Sequence, residues 1–119
     1  MDIPQIVGPD DAKRGEMGQQ LLATGKSVSL RRWRESSGQN CDSPPRAYET
    51  VGYLVSGKLE VQLDGESAIV NPGDSWLVPA GANHQYRVIE DIVAVEATSP
   101  PARFQSRDQA ADAEGSGIQ

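Results

Sequence analysis

Cysteine, histidine and phenylalanine each occur once in the 119 residues. With Cys41 alone, no intramolecular disulfide can form, which excludes a small secreted disulfide scaffold and fits a reducing cytoplasm. Positive charge is also short: 11 basic against 17 acidic side chains give a formal charge of −6. Such a field attracts neither nucleic acid nor an anionic membrane surface. No apolar run is long enough to span a bilayer, and Met1 to Gly15, which mixes Pro4, Asp10, Asp11, Lys13 and Arg14 with few apolar residues, holds no signal-peptide core. A chain of this length makes one domain with one modest core. The expectation is a soluble cytoplasmic protein with no nucleic-acid or membrane partner.

Long helical periods are missing too. Gly and Pro punctuate the chain at short intervals, and the apolar residues between them alternate, which is the period of strands. Leu59, Val61 and Leu63 point one way and Lys58, Glu60 and Gln62 the other, and Asp64-Gly65 supplies the positive-φ turn of a tight hairpin returning along Ala68 to Val70. Asn71-Pro72-Gly73-Asp74 is a second turn, followed by a short strand from Ser75 to Val78 that Pro79-Ala80-Gly81 ends. Strands are also expected over His84 to Ile89 and Ile92 to Thr98, stopped by Pro100-Pro101, and upstream over Gln19 to Ala23 and Ser27 to Glu35 around Thr24-Gly25. In the last of these, Arg31 and Trp33 lie opposite Leu30, Arg32 and Arg34. Ser36 to Pro45 reads as loop by composition. From Ala102 the chain is too poor in apolar surface to offset the entropy of ordering it, so one domain over 1–101 with a frayed tail over 102–119 is expected. The pattern is all-β, a sandwich or a barrel.

Four residues narrow the choice. Gly73, Pro79, Gly81 and His84, with five, one and two residues between successive members, match the spacing of the second motif of the cupin family, with Val88 where Asn is usual. Gly38 and Gly57 stand where the glycines of the first motif stand, but its three ligand positions, two histidines and a glutamate in the family, hold Pro44, Arg46 and Thr50. The segments Tyr48 to Gly57 and Pro72 to Trp76 are similar to small bacterial single-domain cupins, and the resemblance covers roughly 38–100. It implies a cupin-type antiparallel β-barrel, the double-stranded β-helix or jelly roll. It also implies a homodimer, often with exchanged N-terminal strands, and a metal-ligand role for a histidine at the position of His84.

A catalytic zinc needs about three protein ligands and a structural one about four. His84 is the single candidate here, so no metal and no other cofactor is expected, a divalent ion remaining the alternative. If strand alternation runs from Pro44 to Thr50, then Pro44, Arg46, Tyr48 and Thr50 face inward together, and Arg46 repels a cation. Glu49 has the wrong parity, and the facing of Glu96 is open. Arg46 in the volume of a metal can grip a carboxylate or phosphate by a two-pronged hydrogen bond, or it forms a structural ion pair with Glu49, Glu96 or a partner chain.

His84 beside Tyr48 and Tyr86 has the titration range of an acid or base for isomerisation, epimerisation or cyclisation, or it is an imidazole around which the barrel is built. Trp33, Tyr53, Trp76 and Tyr86 are either pocket walls or core. Trp33, sharing a face with Arg31, is the best of them for a polar pocket, whereas Trp76 beside a turn suits packing or a subunit contact. Alternation splits Arg31, Arg32 and Arg34 between faces, so they form no basic patch. Cys41 reads as an ordinary thiol.

The functional expectation is a small polar or anionic molecule bound in the barrel, with His84 and Tyr48 as candidate catalytic groups and Arg46, Thr50, Trp33, Tyr86 and Arg31 as candidate binding groups. Three classes stay open: a metal-independent isomerase or cyclase, a ligand-sensing module without turnover, and a metalloenzyme whose unusual ligand set includes His84.

Overall fold

The computed structural model describes residues 3–10, 13–14, 19–43 and 45–101, with backbone alone at 13–14 and 42–43. Pro44 and the expected tail over 102–119 lie outside the described residues. Among the described residues eight strands run in chain order: β1 (Lys13–Arg14), β2 (Gln19–Thr24), β3 (Ser29–Glu35), β4 (Asn40–Ser43), β5 (Glu49–Leu63), β6 (Glu66–Val70), β7 (Ser75–Val78) and β8 (His84–Ser99). No described residue is helical, so none lies in a helix long and apolar enough to cross a membrane.

Every pairing is antiparallel, and β5 and β8 organise the rest. The C-terminal half of β8 pairs β3 on one side and the N-terminal half of β5 on the other, and β7 extends that layer from β5. The N-terminal half of β8 pairs β4 and the C-terminal half of β5, and β6 extends this second layer. Two sheets thus share two bent strands and fold face to face, which gives the barrel expected from the strand pattern.

The bend sits at Gly57. Register shifts cluster between Leu54 and Leu59, and the inward set changes from Thr50, Gly52 and Leu54 to Leu59 and Val61 across it. An extra residue in one strand reverses the parity of everything beyond it. Gly57 has φ 92° and lies so close to β8 that a Cβ there would stand 2.1 Å from the Asp91 carbonyl oxygen, so only glycine fits. The core closes on the inner side of this bend around Leu54, Leu59, Val61, Val70, Val78, Val88, Ile92, Ala94, Trp33 and Tyr86. Each such aliphatic side chain contributes about 1.5–3 kcal/mol by leaving water.

The turns follow the punctuation of the sequence. Asp64, φ 49°, and Gly65 close the β5–β6 hairpin, and the Asn71–Asp74 turn latches onto β5 through Gly73 N–H to Leu54 O (2.9 Å) and Leu54 N–H to Asp74 O (3.0 Å). Two strand expectations are corrected. Ser36 to Pro45 is not all loop: Asn40–Ser43 forms β4 because the outer edge of the first half of β8 would otherwise stand unpaired, and Cys41 lies opposite Tyr86. The segments 84–89 and 92–98 are one strand, since the bend at Asp91 turns β8 without ending it.

Candidate functional site

Both layers diverge from the bend, so Thr50 and Thr98 on one sheet and Leu63 and His84 on the other mark the end farthest from it. Cross-strand registers order the inward residues in rungs. Nearest the bend, Leu54, Ala94 and Trp33 lie side by side, and all are buried. The next rung is Gly52, Glu96 and Arg31, and the outermost is Thr50, Thr98 and Ser29. The interior therefore changes from apolar to charged to hydroxylic along its axis. Seven described polar residues are buried, and five of them, Arg31, Glu96, Thr50, Thr98 and Ser29, belong to these two rungs.

The connection from β4 to β5 crosses the same end. Arg46, Tyr48 and Thr50 are all buried while Ala47 and Glu49 are exposed, an alternation that persists although 45–48 is not a strand. Arg46 is held by its own backbone: the N–H of Gly81 donates to its carbonyl at 2.9 Å, which ties it to the Pro79-Ala80-Gly81 turn that leads into His84. The two outermost interior groups of the sequence motifs are thereby brought to one place.

At the centre stands an ion pair between Arg31, expected on the face of Trp33, and Glu96, whose facing the sequence left open. Arg31 Nε donates to Glu96 Oε1 at 2.8 Å, with side chains 9% and 2% exposed. Arg31 Nη1 reaches the Tyr48 hydroxyl at 3.4 Å and its guanidinium lies 5.7 Å from the Tyr48 ring centroid. The second Glu96 oxygen accepts from the Tyr86 hydroxyl at 3.5 Å, and Trp76 Nε1 donates to that hydroxyl at 3.2 Å. Burial, reinforced by the Glu96 carboxylate, pushes the Tyr86 phenol far above its usual range, so it stays a neutral donor. Glu96 is the site residue that the sequence left unassigned.

His84 opens β8 half-buried, with Nδ1 3.3 Å from the Ala82 carbonyl oxygen. A proton on Nδ1 donates there and leaves the Nε2 lone pair available. Burial is the largest influence on its pKa and lowers it below the ordinary 6.5; the Ala82 carbonyl and Glu96 pull upward, Arg46 and Arg31 push downward, and the net direction is down. The imidazole is neutral at pH 7 in the field of two guanidiniums.

The aromatic residues divide. Trp33 and Tyr86 are buried in the core, their ring centroids 5.0 Å apart, and His84 packs edge-on to Tyr86 at 5.4 Å. Trp76 covers Gly52 so closely that a Cβ there would lie 2.2 Å from the indole. Tyr53, weighed as a pocket wall, instead points outward and is exposed, because it shares the parity of Val51 and Val55. A cleft of about 450 Å³ between β6 and β7 is lined in part by Val61, Leu63, Val70 and Trp76.

The described residues at this end of the barrel do not fit a divalent metal. Among the described residues no three His, Cys, Asp or Glu side chains group together. Both oxygens of Glu96 are engaged by Arg31 and Tyr86, Glu49 is outside, and the guanidinium of Arg46 acts electrostatically on the one imidazole.

The Cupin domain family model matches residues 32–98. No curated protein matches the chain. Among solved structures, KdgF from Halomonas sp. superposes with a TM-score of 0.69 at 24% identity, over 81% of this chain and 94% of that one. An RmlC-like cupin from Shewanella frigidimarina gives 0.72 at 19%, over 82% and 92%, and the EutQ protein of Clostridium difficile 0.67 at 18%, over 77% and 67%. Likeness at these identities shows a shared fold.

Proposed function

Since the chain belongs to the cupin family, its matched residues spanning more than half of it, we propose that it binds a small anionic or carbonyl-bearing molecule at the polar end of its barrel. In this reading Arg46 takes the negative group, Thr50 and Tyr48 supply neutral hydrogen bonds, Arg31 is held by Glu96 as a positioned second cation, and His84 faces the ligand as a neutral imidazole. The observation that carries the proposal is the change of the interior from apolar to polar toward one end, with two buried guanidiniums, Arg31 and Arg46, in the polar part. Interior polar groups add nothing to a core that apolar side chains would fill more stably, so their concentration at one end of the barrel supports recognition of a polar guest. A reducing compartment, the cytoplasm, suits a chain whose single cysteine, Cys41, has no second cysteine to pair with.

Calorimetric titration with inorganic phosphate, small mono- and dicarboxylates and 2-oxo acids tests this on the wild type, Arg46→Met and Arg46→Lys. Binding of at least one of these anions is expected in the wild type, loss in Arg46→Met, and partial retention in Arg46→Lys, whose ammonium keeps the charge but not the forked geometry. No binding by any of them, or equal binding by Arg46→Met, overturns the reading.

The neutral, half-buried His84 favours a second step on the same ligand, proton transfer without a metal in an isomerisation, epimerisation or cyclisation. In that case His84→Gln abolishes turnover of a 2-oxo acid, sugar or lactone while sparing its binding. A ligand that binds through Arg46 and is never converted assigns the protein to sensing instead.

A further inference from the structure

On the side of the barrel away from β3 and β4, the two layers end in strands that are not bonded to each other. β6 closes one layer on β5 and β7 closes the other, and among the described residues neither pairs a further strand. The cleft of about 450 Å³ lies between these two edges. Its depth is apolar. Registers with β5 set Ala68 beside Val61, Glu66 beside Leu63 and Trp76 beside Gly52, all with the parity that looks into the space between the layers. Ala68 is exposed despite that parity, whereas Val70 on the same face is buried, so the cleft opens toward the β5–β6 hairpin.

The charge on this cleft has one sign. Glu66 and Asp74 are its ionisable lining residues, both exposed, and neither forms an ion pair with a described residue. One Asp74 oxygen accepts from the Asn71 N–H at 2.8 Å, which fixes that carboxylate at the turn. Trp76 spends its Nε1–H on the Tyr86 hydroxyl at 3.2 Å, so what the indole has left for a guest is its ring. An indole is the best aromatic partner for a cation.

We propose that the β6–β7 cleft is a binding site for a small amphipathic organic cation, an ammonium group on an apolar or aromatic body, with the body against Val61, Leu63 and Trp76 and the charge toward Glu66. The volume falls in the range of about 300–1,000 Å³ usual for small-molecule sites, and apolar walls with a few charged groups are their usual lining. An anion is repelled by both carboxylates. A neutral guest meets the same walls but gains nothing from Glu66, Asp74 or the ring quadrupole. The site is separate from the polar end of the barrel and opposite to it in charge preference, since none of Arg31, Arg46, Tyr48, Thr50 and Glu96 lines the cleft.

Titration of the isotope-labelled full chain with phenethylammonium, followed by amide and indole chemical shifts, tests the proposal. Saturable shifts are expected along Glu66–Val70 and Ser75–Val78 and at the Trp76 indole N–H. Phenethyl alcohol, the uncharged counterpart, is expected to bind roughly tenfold more weakly. Glu66→Gln is expected to weaken the ammonium about three- to fivefold and to leave the alcohol unchanged. Ala68→Phe, which fills the cleft from β6, is expected to abolish binding of both while the remaining resonances keep their dispersion. No saturable shift up to about ten millimolar, shifts centred on Arg31 and Glu96 instead, an alcohol bound as tightly as the ammonium, or an ammonium affinity indifferent to either variant overturns the proposal.

Discussion

Replacing Glu96 by leucine removes one half of the buried ion pair and leaves the Arg31 guanidinium in place, with a contact of 2.8 Å and side chains 9% and 2% exposed in the native protein. Removing one partner of such a pair costs about 3–5 kcal/mol, because the remaining charge is buried without compensation. The Tyr86 hydroxyl also loses its acceptor, a long 3.5 Å contact that adds little. Against a total stability of about 5–15 kcal/mol for a domain, the loss corresponds to a fall in Tm of roughly 12–20 °C. Urea unfolding followed by tryptophan fluorescence measures it, since Trp33 packs at a tilt against Tyr86, whose hydroxyl meets Glu96. The double variant Arg31→Met, Glu96→Leu removes both charges and is expected to recover to within about 1–2 kcal/mol of the wild type. In Glu96→Gln the site keeps both cations without the carboxylate, so phosphate binds it more tightly than the wild type. A Glu96→Leu protein within about 0.5 kcal/mol of the wild type, or single-variant losses that simply add, would refute the account of the pair.

Four further outcomes follow from other parts of the molecule. The folded pKa of His84 lies below 6.5, so the unfolded chain takes up its proton first; stability is full above about pH 6.5 and falls as pH drops through the folded value. A bound anion raises that pKa, so anion affinity strengthens as pH falls toward it; calorimetry in buffers of different ionisation enthalpy detects the proton uptake, and its absence in His84→Gln assigns it. Gly57→Ala drives a Cβ against the Asp91 carbonyl at a φ of 92° and is expected to cost more than about 2 kcal/mol in urea unfolding. Leu59→Ala, at a fully buried position, is expected to cost about 2–5 kcal/mol by the same assay.

Local chemistry was legible where one face of a strand is apolar and the other is not. The β5–β6 hairpin and the Ser75–Val78 strand follow from alternation and turn residues, and the spacing of Gly73, Pro79, Gly81 and His84 pointed to the family that residues 32–98 match. β4 was hidden because Asn40 to Ser43 is polar and gains its structure by pairing β8, a tertiary effect that composition does not carry. Glu96 was hidden for the opposite reason. From Ile92 to Ala97 both faces of β8 are largely apolar, so parity had no contrast to read, and only the register with Gly52 and Arg31 shows that it points inward. Tyr53 required the facing of β5, which the reading from Pro44 to Thr50 did not extend far enough to supply.

Metal content tests most directly the claim that guanidiniums, and not a metal ion, organise the polar end of the barrel. Elemental mass spectrometry of the untagged protein is expected to find far less than one metal per chain, unchanged in His84→Ala. A stoichiometric ion that His84→Ala removes would contradict the account.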